Sequence, residues 1–210
     1  MKKLLNGILD FRKTKRKEYA DLFSSLSEIQ TPDTLLIACS DSRVVPNLFA
    51  STDPGDMFVL RNVGNIVPEY GTFRGSVGAA VEFAVNQLKV KDVIVCGHSN
   101  CGAVAAIMND LKFEGDLAAW LGIGAEMKLI EPPKGEWGKL DLASQANTLL
   151  QIRRLGSYPA IKDAIASRGL RLHAWWFNIS KAEVLRFDEE RSKFIVLDEE
   201  EIPRIMATLD

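Results

Sequence analysis

Short apolar runs punctuate an otherwise mixed chain: Leu35-Leu36-Ile37-Ala38, Met57-Phe58-Val59-Leu60 and Val93-Ile94-Val95-Cys96. None alternates with polar residues, so each reads as a strand covered on both faces, which is how strands of parallel sheets look. Between and after them the period changes. Leu4, Leu5, Ile8 and Leu9 share one face of a helix near Lys2 to Phe11. Tyr19, Leu22, Phe23 and Leu26 do the same in a second helix from Lys15 to Ser27, which Gln30-Thr31-Pro32-Asp33 ends. Helices are further expected over Val77 to Leu88, from Ala103 onward, around Ala118 to Leu121, over Leu142 to Leu155 and from Tyr158 to Ile165. Leu170 to Ile179 reads as a strand with Glu183 to Asp188 as its hairpin partner, and Phe194-Ile195-Val196-Leu197 is a last apolar run. Strand, loop, strand, helix, strand, helices, strand is the order of an open α/β sheet, with the late hairpin antiparallel at an edge.

Composition changes this picture little. A chain of 210 residues with a net charge of −2 has room for one large α/β domain over 1–210. Residues 1–30 form a helical arm and the acidic stretch 198–210 a surface tail. The basic run Arg12 to Lys17 lacks aromatic interleaving or a nucleic-acid module, so it reads as a solvated helix junction. No run is long enough to span a membrane. Asp10 and Arg12 interrupt the first apolar stretch before a signal-peptide core can form. Three cysteines make no disulfide framework, and a cytoplasmic location is expected.

The chemistry sits where two of the strands end. Cys39-Ser40-Asp41-Ser42-Arg43 follows the first apolar run, and His98-Ser99-Asn100-Cys101-Gly102 follows the third. Two thiolates and an imidazole make a soft tripod suited to zinc. The halves are too far apart in sequence for a zinc finger. They meet only if the strands do, at the carboxyl ends where open α/β sheets bind their ligands. Three protein ligands leave a fourth position, the layout of a catalytic zinc site. Cys96 lies inside its strand and reads as a core thiol, and His173 as a hydrogen-bonded core histidine. Gly64, Gly71, Gly75 and Gly78 form no nucleotide fingerprint.

The pairing of Cys-x-Asp-x-Arg with His-x-x-Cys resembles the β-class carbonic anhydrases. The likeness runs from about Leu4 to Val196 and includes Arg61-Asn62-Val63-Gly64-Asn65, Gly75-Ser76-Val77-Gly78 and Leu172-His173-Ala174-Trp175. It implies a parallel sheet of order 2-1-3-4 plus an antiparallel edge strand, flanked by helices, with N-terminal helices clasping a dimer partner. It implies one zinc on Cys39, His98 and Cys101. It also implies reversible hydration of carbon dioxide to bicarbonate by a zinc-bound hydroxide that the Asp41–Arg43 dyad orients. The substrate pocket would take Gln30 from across the dimer interface, Phe58 and Val63 as apolar lining, Phe83 where plant-like members carry tyrosine, and Gly102 as a backbone contact. Members regulated by bicarbonate carry Trp, Arg and Tyr where this chain has Leu36, Arg61 and Phe177, so the open-site, plant-like subtype is expected. A carbon disulfide or carbonyl sulfide hydrolase on the same fold, and a non-catalytic zinc scaffold, remain as alternatives.

Overall fold

Each apolar run finds a neighbour of its own kind. In the computed structural model, which describes residues 1–208, β1 (Thr34–Cys39) pairs in parallel with β2 (Met57–Asn62) on one side and β3 (Asp92–His98) on the other. Strand β4 (Arg171–Asn178) then pairs in parallel with β3. The order β2-β1-β3-β4 matches the expectation from the sequence. Two antiparallel strands, not one, extend it: β5 (Glu183–Asp188) and β6 (Lys193–Val196). The last apolar run thus becomes the final edge strand, which satisfies backbone groups that β5 would otherwise leave open.

Side chains alternate between two cores, as the pleat requires. Leu35, Ile37, Val93 and Val95 pack on one face with Val77, Val81, Leu155 and Ile161. Leu36, Ala38, Ile94 and Cys96 pack on the other with Val44 and Phe177. The helices before and after β1 and β2 are α1 (Lys2–Lys13), α2 (Lys15–Glu18), α3 (Ala20–Ser25), α4 (Pro46–Phe49) and α5 (Ser76–Glu82). The expected helix from Lys15 to Ser27 is therefore broken, at Tyr19, where ψ is 2°. Helix α5 widens into a π-turn over Phe83–Gln87. After β3 come α6 (Gly102–Met108), α7 (Gly115–Gly124), α8 (Lys139–Leu155), α9 (Pro159–Arg168) and α10 (Glu201–Met206). Helix α10 lies in the stretch expected to be an acidic tail, whose positions 209 and 210 fall outside the described residues. No helix among the described residues is long and apolar enough to cross a membrane.

Helix α8 lies against β3 and β4, yet its buried positions are largely polar: Ser144, Gln145, Asn147, Thr148 and Gln151. Gly97 permits this approach. A Cβ there would collide with Thr148 Oγ1 and lie 3.1 Å from Trp176.

Candidate metal centre

Parallel pairing in register brings the ends of β1 and β3 side by side, since Ala38 faces Cys96. Cys39 closes β1, His98 closes β3, and Cys101 caps the start of α6. Their ligand atoms all lie within 4.8 Å of one another, and all three residues are buried. His98 is fully buried, and its Nδ1 lies 2.9 Å from the Ser99 carbonyl. A carbonyl can only accept, so Nδ1 carries the proton and Nε2 presents its lone pair. That Nε2 is buried with no hydrogen-bond partner. Buried polar atoms are nearly always satisfied, so an electron-pair acceptor belongs there.

The thiols agree with this. The Cys101 side chain, the largest influence, pushes the Cys39 thiol down, and the Gly64 N–H acts the same way against burial. The Gly64 N–H donates to Cys39 Sγ at 3.3 Å. Cys101 is pushed up by the same sharing with Cys39 and by burial. Two thiols competing for one proton become two thiolates when a divalent cation replaces it. A donor set of two sulfurs and one nitrogen fits zinc. Gly64 has φ +80°, and a Cβ there would sit 2.9 Å from that of Ala103, so the close approach of its N–H depends on glycine.

Beside the tripod, Arg43 grips Asp41 with both arms: Nε donates to Oδ1 at 2.9 Å and Nη2 to Oδ2 at 2.7 Å. The Arg43 backbone N–H adds a third bond to Oδ1 at 3.0 Å. Arg43 thereby holds the Asp41 carboxyl well below the usual carboxylate range, although burial opposes it. Asp41 Oδ2 lies 4.0 Å from His98 Nε2. Arg43 also reaches across to the Asn100 carbonyl at 3.2 Å, tying the two ligand segments together.

The other residues expected at the site lie further out or on other elements. Gly102 is exposed at the first position of α6. Val63 is 42% exposed, and its carbonyl accepts the Trp120 indole N–H at 2.8 Å. Phe58 on β2 and Phe83 at the π-turn pair with ring centroids 5.8 Å apart, and Phe83 is 43% exposed. Gln30 is exposed on the segment between α3 and β1. Cys96 is fully buried, and burial pushes its thiol up to about 12, so it is a core residue. His173 bonds Asp92 Oδ1 at 2.8 Å. Leu36 and Phe177 lie in one apolar cluster, where Phe177 stacks on Phe49 at 4.8 Å.

Sequence reading missed the scaffold behind the ligands. The Asn100 N–H, at a left-handed residue with φ 53°, donates to Asp141 Oδ1 at 3.0 Å. Ser144 Oγ donates to the His98 carbonyl at 2.7 Å, and Asn147 to the Gly64 carbonyl at 3.0 Å. Gln151 accepts from the Val67 N–H at 2.8 Å. The available signal was the spacing of Ser144, Asn147, Thr148 and Gln151, a single helical stripe that a surface reading absorbs without comment.

Comparison with known proteins points the same way. The carbonic anhydrase family model matches residues 34–184. A carbonic anhydrase of Pseudomonas aeruginosa is 37% identical over 204 residues, which cover 95% of this chain and 93% of that protein. One from a Synechocystis strain is 39% identical over 203 residues, covering 93% and 74%. Among solved structures, the β-carbonic anhydrase CcaA superposes with a TM-score of 0.84 at 36% identity, covering 95% of this chain and 92% of its own. One of two tetrameric β-carbonic anhydrases of Sordaria macrospora gives 0.74 at 32% identity, covering 87% and 94%. Motif, sheet order and the buried tripod of two thiols and an imidazole all fall within the matched region, and the chain belongs to the β-carbonic anhydrase family.

Proposed function

We propose that this chain catalyses the reversible hydration of carbon dioxide to bicarbonate and a proton, with one zinc ion held by Cys39, His98 and Cys101. The observation that carries the reading is the unpartnered Nε2 of buried His98, facing two buried thiols beside a bidentate Asp41–Arg43 pair. Zinc in such a site supplies a Lewis acid that brings the pKa of a water to about 7.

The chain's own residues do the rest. Asp41 is ionised, so it only accepts. It takes a hydrogen bond from the attacking water and turns that water's free lone pair toward the carbon of the substrate. Arg43 holds the carboxylate in that position with two parallel bonds, which a lysine could not do. Carbon dioxide is apolar, and Phe58, Val63 and Phe83 are proposed as its walls. The Gly102 backbone, at the start of α6, is proposed to face the product anion, with Gln30 supplied by a second copy of the chain.

The proposed resting state is open: with Asp41 held on Arg43, a zinc bound by Cys39, His98 and Cys101 would keep room for a water. Leu36 and Phe177, packed with Val44 and Phe49, leave an apolar cluster in place of a polar anion site. The proposed assembly is a dimer or a multiple of dimers. The proposed location is the cytoplasm, where reduced thiols persist. Measuring carbon dioxide hydration beside metal content tests the activity. Fully zinc-loaded protein that shows no turnover would rule it out.

A further inference from the structure

Arg61 is an exposed arginine at the end of β2, and its side-chain hydrogen bonds go to the turn that follows β1. Its Nε and Nη2 donate to the Cys39 carbonyl at 3.1 and 2.7 Å. The same Nη2 donates to the Asp41 carbonyl at 2.7 Å. Between those carbonyls, the Ser40 N–H donates to the Asn62 carbonyl at 2.8 Å. The three-residue turn from metal ligand to dyad carboxylate is therefore sewn to the end of β2 by one guanidinium and one backbone bond.

Inside the turn the Val44 N–H donates to the Asp41 carbonyl at 3.0 Å and Arg43 holds the Asp41 side chain, whereas Arg61 ties both the Cys39 and the Asp41 carbonyls to β2. Ser40 is exposed, and Asp41 has a short side chain whose reach is set by its own backbone. A planar guanidinium can hold two carbonyls at a set separation, where an ammonium is a point donor. We propose that Arg61 is a positioning residue. By fixing the Cys39–Asp41 turn, it keeps the Asp41 carboxylate on Arg43 and off the metal. The inference rests on the dyad's role proposed above.

The test is a double-mutant cycle on the zinc-loaded enzyme, combining Arg61→Met with Asp41→Asn. Arg61→Met should keep one zinc per chain and lose about tenfold in kcat with little change in KM. Added to Asp41→Asn, it should cost less than about twofold. With cobalt(II) in place of zinc, the visible spectrum of Arg61→Met should shift as a carboxylate enters the fourth position. The shift should vanish in the double variant. Arg61→Lys, able to hold one carbonyl, should recover part of the rate. Equal losses in both backgrounds, an unshifted cobalt spectrum, loss of zinc, or an unchanged kcat would each overturn the proposal. Should Arg61→Met fail to fold, Arg61→Lys carries the same cycle with a smaller factor. An Asp41→Asn enzyme at the wild-type rate would instead defeat the dyad reading itself, which the single variant reveals.

Discussion

His98 and His173 show how much one atom decides. His173 Nε2 is taken by Asp92, whereas His98 Nε2 is buried with no hydrogen-bond partner. Removing a thiolate from the tripod leaves two protein ligands, so Cys101→Ala should lose zinc and activity together. Cys96→Ser, two residues from His98 but inside the core, should keep one zinc per chain. Metal analysis of both proteins decides the assignment, and a zinc-free Cys96→Ser would reverse it. Arg43→Ala should lower kcat by about a hundredfold, the scale of one lost preorganised contact at a reacting centre, with zinc retained. These residues were legible in the sequence because their chemistry is carried by residue type and spacing. Gly64 and Arg61 were not legible in the same way. Their contribution is a backbone N–H to a thiolate and a side chain to two carbonyls, and in each contact one side is a backbone group that no residue identity marks.

At the scale of elements, strands were easier to read than the helix behind them. Runs such as Leu35 to Ala38 announce burial on both faces, and their parallel pairing follows. In α8 the same logic misleads, because Ser144, Asn147 and Gln151 are buried through hydrogen bonds rather than through apolar surface. Gly97→Ala tests that packing. Its Cβ would displace Thr148, at a cost of about 1–3 kcal/mol, roughly 2–10 °C in Tm, and Thr148→Ala should restore most of it. Unchanged melting of Gly97→Ala would show that α8 is loosely seated. The opposite end of β3 is tied differently. Asp92 takes Arg171 at 2.7 and 2.9 Å and His173 at 2.8 Å, joining β3 to β4. Burial opposes ionisation there, but those two partners outweigh it and hold the carboxyl well below its usual range. A depressed folded pKa stabilises above the unfolded value near 4 and loses that stability as pH falls below it. Asp92→Asn should therefore cost about 1–3 kcal/mol at pH 7, and the gap to wild type should narrow in denaturant melts below about pH 4. A gap that widens in acid would refute the sign.

For the whole molecule, the feature left without a purpose within one chain is α1. None of its residues is buried, and Leu4, Leu5, Ile8 and Leu9 are each more than half exposed on a helix that also carries Lys2, Lys3, Arg12 and Lys13. A helix of this length does not hold itself together in water without a surface for its apolar face. The expected surface is a second copy of the chain, and the same association would bring Gln30, exposed and outside both ligand segments, to the neighbour's site. Pattern alone could show that α1 has an apolar face but not what covers it, since nothing in a local window names a partner. Two-fold association of identical chains gives each copy the same contact, so one deletion removes it twice. Deleting residues 1–13 should leave zinc content and the fold of the sheet intact. It should also raise the dimer dissociation constant by at least about a hundredfold, the equivalent of roughly 3 kcal/mol of lost apolar contact. Sedimentation over a dilution series reads the constant directly. Activity should follow it: the full chain should keep its specific activity on dilution to nanomolar concentration, while the truncated chain loses activity as it dissociates. A truncated chain that sediments as a monomer with undiminished activity would show that each site is complete within its own chain, and that Gln30 has no part across the interface.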